Sequence, residues 1–169
     1  VEILQGIRDV DIRIVSGGQT GVDRGALDAA IRASIPHGGY CPAGRKAEDG
    51  VIPAVYELEE TESDRYPPRT AMNVRQAHGT LLLVRGRPGL SRSRGTKLTL
   101  EMCIRQEKPW HAADPRRDDL VGRVAEWVRS LETDGSSTIV NVAGPRESKE
   151  PGIHDEVVKF LSMVFKLLS

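Results

Sequence analysis

The sequence predicts an α/β protein: a Rossmann-like open, mostly parallel sheet with helices on both faces. Three observations carry that expectation. Apolar runs of strand length alternate along the chain with runs of helical period, the pattern left by strand–helix–strand units. Residues 80–84 form a continuous apolar run, as in a strand covered on both faces. Three glycine-bearing loops, at residues 17–21, 86–95 and 144–145, each follow an expected strand and precede an expected helix. In parallel sheets the ligand crevice lies outside the carboxyl ends of the strands, where such loops gather.

The elements follow in order. Residues 1–10 read as a short amphipathic lead-in. The first strand carries Ile12, Ile14 and Val15 and ends at about residue 16. A sharp glycine turn comes next, and a helix from about 21 to 34 has Ala26, Leu27, Ala29, Ala30 and Ile31 as its small apolar side. Pro36, Gly38 and Gly39 break the chain, and residues 39–42 read as a very short second strand. Periodicity is lost over residues 41–68, a length typical of functional or mobile loops. Residues 69–78 read as a helix, 80–84 as a strand, 85–95 as a second loop and 96–106 as a helix. A short strand at 109–112, an amphipathic helix at 118–131 and a last strand at 138–142 follow. The loop 143–152 leads into a terminal helix at 153–168. At 169 residues the chain has the size of one domain, so residues 1–169 are read as a single ligand-binding domain.

Composition narrows the function classes. With 38% hydrophobic and 28% charged residues, the chain can bury a core and is not globally disordered. A formal net charge of +0 argues against nucleic acid as partner. Cys41 and Cys103 form no CxxC pair and suggest no disulfide framework, which fits a reducing compartment. The first residues carry acids and no long apolar core, so no signal peptide is expected, and no apolar run reaches the length of a membrane span. The expectation is a soluble, cytoplasmic protein with no membrane partner.

The functional reading centres on Ser16-Gly17-Gly18-Gln19-Thr20-Gly21. Glycines there allow positive φ and leave bare backbone to a ligand. Unpaired amides and the dipole of the following helix favour an anion. Gly17, Gly18 and Gly21 serve either that purpose or a tight turn alone. Gln19 and Thr20 are polar residues that core packing does not explain. Asp23 caps the helix, positions Arg24 or accepts a ligand hydroxyl. Arg24, Arg45, Lys46, Arg69, Arg92, Arg94, Lys97, Arg146 and Lys149 all lie at or next to loops on the same rim, and arginine grips phosphate with a planar fork. Arg45, Lys46 and Glu48 suit a lid. Thr70 begins or caps its helix, while Arg69 and Asn73, one turn apart, share a face that can turn into the crevice. Gly95 and Thr96 of the second loop, and Gly144, Pro145 and Arg146 of the third, complete one expected site for a small anionic, phosphate-bearing ligand.

The stretch Ser16-Gly17-Gly18-Gln19-Thr20-Gly21-Val22-Asp23-Arg24 resembles the opening signature of the molybdenum-carrier family, whose members are similar to molybdenum-cofactor carrier proteins within a larger group of Rossmann-like nucleotide and nucleoside-ligand folds. Further matches run in order: Cys41-Pro42, Gly44-Arg45, Ala47-Glu48-Asp49-Gly50, Tyr66, Arg69-Thr70, Asn73-Val74, Thr80-Leu81-Leu82, Gly95-Thr96, Asn141-Val142-Ala143-Gly144-Pro145-Arg146 and Pro151-Gly152-Ile153. Two positions depart from the family: Ala77-His78 stands where members tend to carry Ser-Asp, and Arg94-Gly95-Thr96 where they tend to carry a glycine pair before the threonine. The resemblance implies binding of the molybdenum cofactor (molybdopterin), an anionic pterin phosphate, by a carrier without catalysis. It also implies molybdoenzymes or cofactor-biosynthesis proteins as partners.

Other chemistries find less support. His37, His78, His111 and His154 are scattered, with no HxxxH or Cys/His cluster for a metal. No serine sits in a GxSxG elbow. A nucleoside-monophosphate phosphoribohydrolase, similar to the lysine-decarboxylase-like group, needs a glutamate soon after the glycine–threonine pair, and Glu101 is displaced along the helix. The glycine turn lacks GxGxxG spacing for a dinucleotide oxidoreductase. A nucleotide-sensing module shares the crevice and differs only in ligand. The terminal helix bears a stripe of Ile153, Val157, Leu161, Val164 and Leu168, widened by Phe160, Met163, Phe165 and Leu167. That surplus predicts a homo-oligomer, a fully buried helix being the alternative.

Overall fold

In chain order the elements are β1 (Ile12–Val15), α1 (Val22–Arg32), β2 (His37–Gly38), β3 (Tyr40–Cys41), β4 (Lys46–Ala47), β5 (Gly50–Val51), β6 (Glu59–Glu60), α2 (Tyr66–Gln76), β7 (Gly79–Leu83), α3 (Arg94–Arg105), β8 (Trp110–Ala113), α4 (Val121–Ser130), β9 (Thr138–Ala143) and α5 (Ile153–Leu168). The structure is a computed structural model that describes residues 9–87 and 93–169. The lead-in up to residue 8, and residues 88–92 of the second loop with Arg92, lie outside the described residues.

Five strands form a parallel sheet in the order β2-β1-β9-β7-β8. The last strand of the chain lies in the middle. Ile12 to Val15 of β1 pair with Thr138 to Asn141 on one side of β9, and Gly79 to Leu82 of β7 pair with Val140 to Ala143 on the other. Counted from β9, the spatial order is 3-2-1-4-5, the usual Rossmann order. The chain is that fold with its first strand–helix unit, β9–α5, carried at the C-terminal end. The junction is still closed in space, since the Val10 amide donates to the Leu168 carbonyl at 2.9 Å.

α1, α4 and α5 pack together on one face of the sheet, and α2 pairs with α3 on the other. The main core lies under the first group. α5 meets both α1 and α4, and Ile153, Val157, Phe160, Leu161, Val164, Phe165 and Leu168 are all buried within the chain. Each such side chain contributes on the order of 1.5–3 kcal/mol on burial. The broad apolar face of this helix is therefore covered by its own chain, and it no longer argues for a subunit interface.

The helix starts differ from the expectation in a way that shapes the site. α2 begins at Tyr66, with proline in its first turn, where a missing N–H costs nothing. Arg69 is thereby the fourth residue of the helix and not its first. α3 begins at Arg94 with Ser93 as its cap, two residues earlier than the periodicity suggests. Residues 41–68 are not structureless. β4 and β5 form an antiparallel hairpin, β6 pairs with β3, and Leu27, Cys41, Ala47, Ile52, Tyr56 and Leu58 make a small second core. No described helix is long and apolar enough to cross a membrane.

Candidate functional site

The glycine turn between β1 and α1 uses its donors internally. The Gln19 amide donates to Asp23 Oδ2 at 3.2 Å, and the Gly17 amide acts on the same carboxyl. The Thr20 amide donates to Gln19 Oε1 at 3.1 Å, and the Val22 amide to the Pro145 carbonyl at 3.1 Å. The expectation that this turn offers free amides to a ligand is corrected here: the anion it holds is its own Asp23. Two glycines show what the turn is packed for. A Cβ on Gly17 would overlap the Arg69 guanidinium, and one on Gly21, at φ 79°, would lie 2.5 Å from the Pro145 carbonyl oxygen. Gly18 lies under Leu58 and Ile52 of the second core.

The hairpin β4–β5 fastens onto this turn through its tip. Asp49 takes both terminal nitrogens of Arg24, one at 2.7 Å, while Arg24 Nε donates to the Gly18 carbonyl at 3.0 Å. Glu48 accepts from the Thr20 hydroxyl and from the amide and hydroxyl of Ser148 at 3.2 and 2.6 Å. Burial alone would raise the Glu48 carboxyl, but these hydrogen bonds and the Arg146 charge hold it below the ordinary range. Arg45, at φ 54°, donates to the carbonyls of Ile52, Pro53, Tyr56 and Leu58 and so forms the inner strut of the loop. Arg24 and Arg45, expected on the rim as ligand contacts, are instead both engaged within the protein.

The N-terminus of α5 is likewise taken. Glu147 accepts from the Gly152 amide at 3.0 Å and from the His154 amide at 3.1 Å. All three glycine loops expected to floor one crevice thus hold carboxylates of the chain, since in the second the Gly86 amide donates to Asp114 Oδ2 at 2.8 Å. The start of α3 differs in that a hydroxyl caps it among the described residues: Ser93 Oγ accepts from the Thr96 amide at 3.3 Å. The first amides of α3 have no partner inside the helix.

That N-terminus opens onto a cleft of about 580 Å³ outside the carboxyl ends of the strands. Its wall and floor include Gln19, Asp23, Tyr66, Pro67, Arg69, Thr70, Ser93, Arg94, Gly95, Leu98, Thr99, Ala143, Gly144, Arg146 and Lys149. Four cationic side chains face one carboxyl. The Arg69 and Arg146 guanidinium carbons and Lys46 Nζ lie 5.5, 5.3 and 5.4 Å from the centre of the Tyr66 ring. Three like charges round one ring repel each other unless an anion joins them. Arg69 meets Asp23 only at 3.7 Å, and Arg146 meets Glu48 only at 3.7 Å, both too long for a hydrogen bond. Among the described residues, Gln19 Nε2, Arg69 Nε and Thr96 Oγ1 are buried without a partner. Leaving such groups unpaired costs about 1–3 kcal/mol each. Gln19 is only 6% exposed, and its Oε1 accepts the amides of Thr20 and Glu48, so Nε2 is the end left over on a residue that lines the cleft. Burial pushes the Asp23 carboxyl up, against the lowering effect of Arg69 and the turn amides.

The expected site residues thus separate. Gln19, Asp23, Arg69, Thr70, Gly95, Gly144 and Arg146 line the cleft. Thr20, Gly21 and Arg24 face a smaller hollow behind the turn with Tyr56 and His154. Lys46 reaches Tyr66, Pro145 joins the turn through its carbonyl, and Thr96 is buried in α3. Asn73 does not turn into the crevice: it pairs with the Tyr40 backbone, accepting at 2.8 Å and donating at 2.9 Å, and clamps β3 to α2. Arg94 and Lys149 were legible as rim cations. Leu98 and Thr99 were missed, although they lie three and four residues past Gly95 on the same helix face. Tyr66 gave a motif match but no sign that three cations gather on it.

This arrangement is that of a Rossmann-like α/β protein with a basic cleft at the strand ends. The chain belongs to the circularly permuted YpsA SLOG family, whose description it matches over residues 14–165, and the central position of β9 agrees with that permutation. It is similar to the crystal structure of a protein named "Putative molybdenum carrier protein" from Syntrophus aciditrophicus SB, with 36% sequence identity and a TM-score of 0.82, over 93% of this chain and 95% of that one. A search of curated proteins returns no match.

Proposed function

We propose that the protein binds a small phosphate-bearing anion in this cleft, and that the ligand is the molybdenum cofactor, carried or stored without catalysis. One observation carries the reading: Arg69, Arg146 and Gln19 line the cleft, and among the described residues the Arg69 and Arg146 guanidiniums stand 3.7 Å from their nearest acids while Gln19 Nε2 has no acceptor. Guanidinium forks and an amide donor suit phosphate oxygens. Tyr66, Pro67 and Leu98 add an apolar wall that suits a flat ring, so a pterin phosphate matches both halves. The name of the solved relative supports this choice among flat phosphates. Among the described residues no His/Cys/Asp/Glu group is arranged to hold a metal ion, so molybdenum would travel inside its cofactor while the protein grips phosphate and ring. Molybdoenzymes and cofactor-biosynthesis proteins are the partners this role requires. The hydrolase alternative lacks the glutamate its motif calls for, because Glu101 is exposed on α3 and does not line the cleft.

The test is native mass spectrometry of protein from a cofactor-replete host, beside incubation with nucleoside monophosphates. Carriage gives a retained pterin species and no turnover. Release of ribose 5-phosphate would replace this reading with the hydrolase one.

A further inference from the structure

The cleft contains one carboxyl among its cations, and its position bears on which oxyanions can enter. Asp23 stands in the first turn of α1, 4% exposed, lining the same space as Gln19 and Arg69. An oxyanion that fills the Gln19 and Arg69 donors is therefore brought up against a carboxyl oxygen. Two bare oxygens in that contact repel, and one proton between them turns the repulsion into a short hydrogen bond. The proton has two possible sources. A phosphomonoester brings it at little cost, because its second pKa is about 6. Sulfate and molybdate are fully ionised in neutral water and bring none.

We infer that Asp23 makes the cleft a proton-sharing anion site that selects phosphomonoesters over sulfate and molybdate. This deepens the function proposed above and rests on it: the cargo is held by its phosphate end, and free molybdate is rejected. Gln19 is a fixed donor, since the Thr20 and Glu48 amides hold its oxygen away, and it takes a bare oxygen of any of these anions. The charged groups round Asp23 are Arg69 from α2, Arg24 on its own helix, Arg94 from α3, and Arg146 and Lys149 from the loop before α5, with Glu48 of the hairpin beyond Arg146. The cations attract every oxyanion alike, so discrimination falls to the carboxyl. Burial already favours its protonated form. Lowering the pH then lets Asp23 supply the proton itself, and the preference narrows.

The experiment is calorimetric titration of the wild-type protein with inorganic phosphate, sulfate and molybdate at neutral pH, with phosphate and sulfate repeated at acid pH. The inference predicts phosphate binding about tenfold or more tighter than either rival at neutral pH, a smaller ratio in acid, and a ratio near one in Asp23→Asn. Equal binding of molybdate and phosphate by the wild-type protein overturns the inference while leaving an anion site in place. So does an Asp23→Asn protein that keeps the wild-type ratio. If none of the three binds, the site reading fails with it. Should Asp23→Asn not fold, the wild-type ratio and its change with pH decide alone.

Discussion

The β1–α1 turn and the cleft beside it look alike as sequence, each being glycine-bearing, basic and next to a helix start. In the turn every cation and nearly every amide has met a carboxylate or carbonyl of the chain: Arg24 holds Asp49, Arg45 holds four carbonyls, and Asp23 fills the amides of Gly17 and Gln19. In the cleft, Arg69 and Arg146 stand at 3.7 Å from their nearest acids and Gln19 Nε2 has no partner among the described residues. The glycine turn is thus a packing joint, and the proposed ligand site lies one step aside, under α3. A basic residue in a loop is evidence of a ligand only after its internal partners have been counted.

The largest effect separating the two regions is expected from Arg69→Ala with Arg146→Ala. Each charge-assisted contact is worth about 1.5–3 kcal/mol, so the double variant should lose on the order of a hundredfold or more in phosphate affinity by calorimetry, with urea stability held or raised. Arg24→Ala should do the reverse. It cuts the hairpin from the turn and should cost about 2 kcal/mol in urea unfolding, with a much smaller change in affinity for the folded protein. An Arg24→Ala protein as stable as wild type would break the contrast. Next comes Gly17→Ala, whose new methyl displaces the Arg69 guanidinium, a movable end of a long side chain. Affinity should fall about tenfold while stability changes by less than about 1 kcal/mol.

The smallest effect is a pH dependence remote from the cleft. His154 bridges Asp28 at 2.7 Å and Asp155 at 2.8 Å. Burial lowers its pKa, but the two carboxylates outweigh burial and the net shift is upward. A folded pKa above the unfolded value of about 6.5 gives stability that is complete below the unfolded value and is lost as pH rises through the folded one. The wild-type melting temperature should therefore decline across that window, and His154→Gln should flatten the decline.

Much of the fold was legible because it is written in local pattern. The β-branched Ile12, Ile14 and Val15, the apolar run at 80–84 and the helical stripes each point to their own element. The order of strands was not, since β9 reaches the sheet centre only through pairing with β1 and β7, which are distant in sequence. The division of the arginines was hidden for the same reason. Asp49 is 25 residues from Arg24, and Ser148 is 100 residues from Glu48, so no window of sequence shows which charges meet. α5 could not be resolved from sequence because a helix packed between two others carries the same apolar surplus as one at an interface. Pro67 and Pro68 fell at the end of the stretch without periodicity, whereas they open α2 and place Tyr66 where the cations gather.

The division of the arginines can be tested most directly by following the guanidinium Nε–H signals of the protein by NMR as phosphate is added. Shifts that saturate at Arg69 and Arg146, with Arg24 and Arg45 unmoved, are the predicted result. Saturating shifts at Arg24 with Arg69 and Arg146 silent would return the anion to the glycine turn and contradict the account.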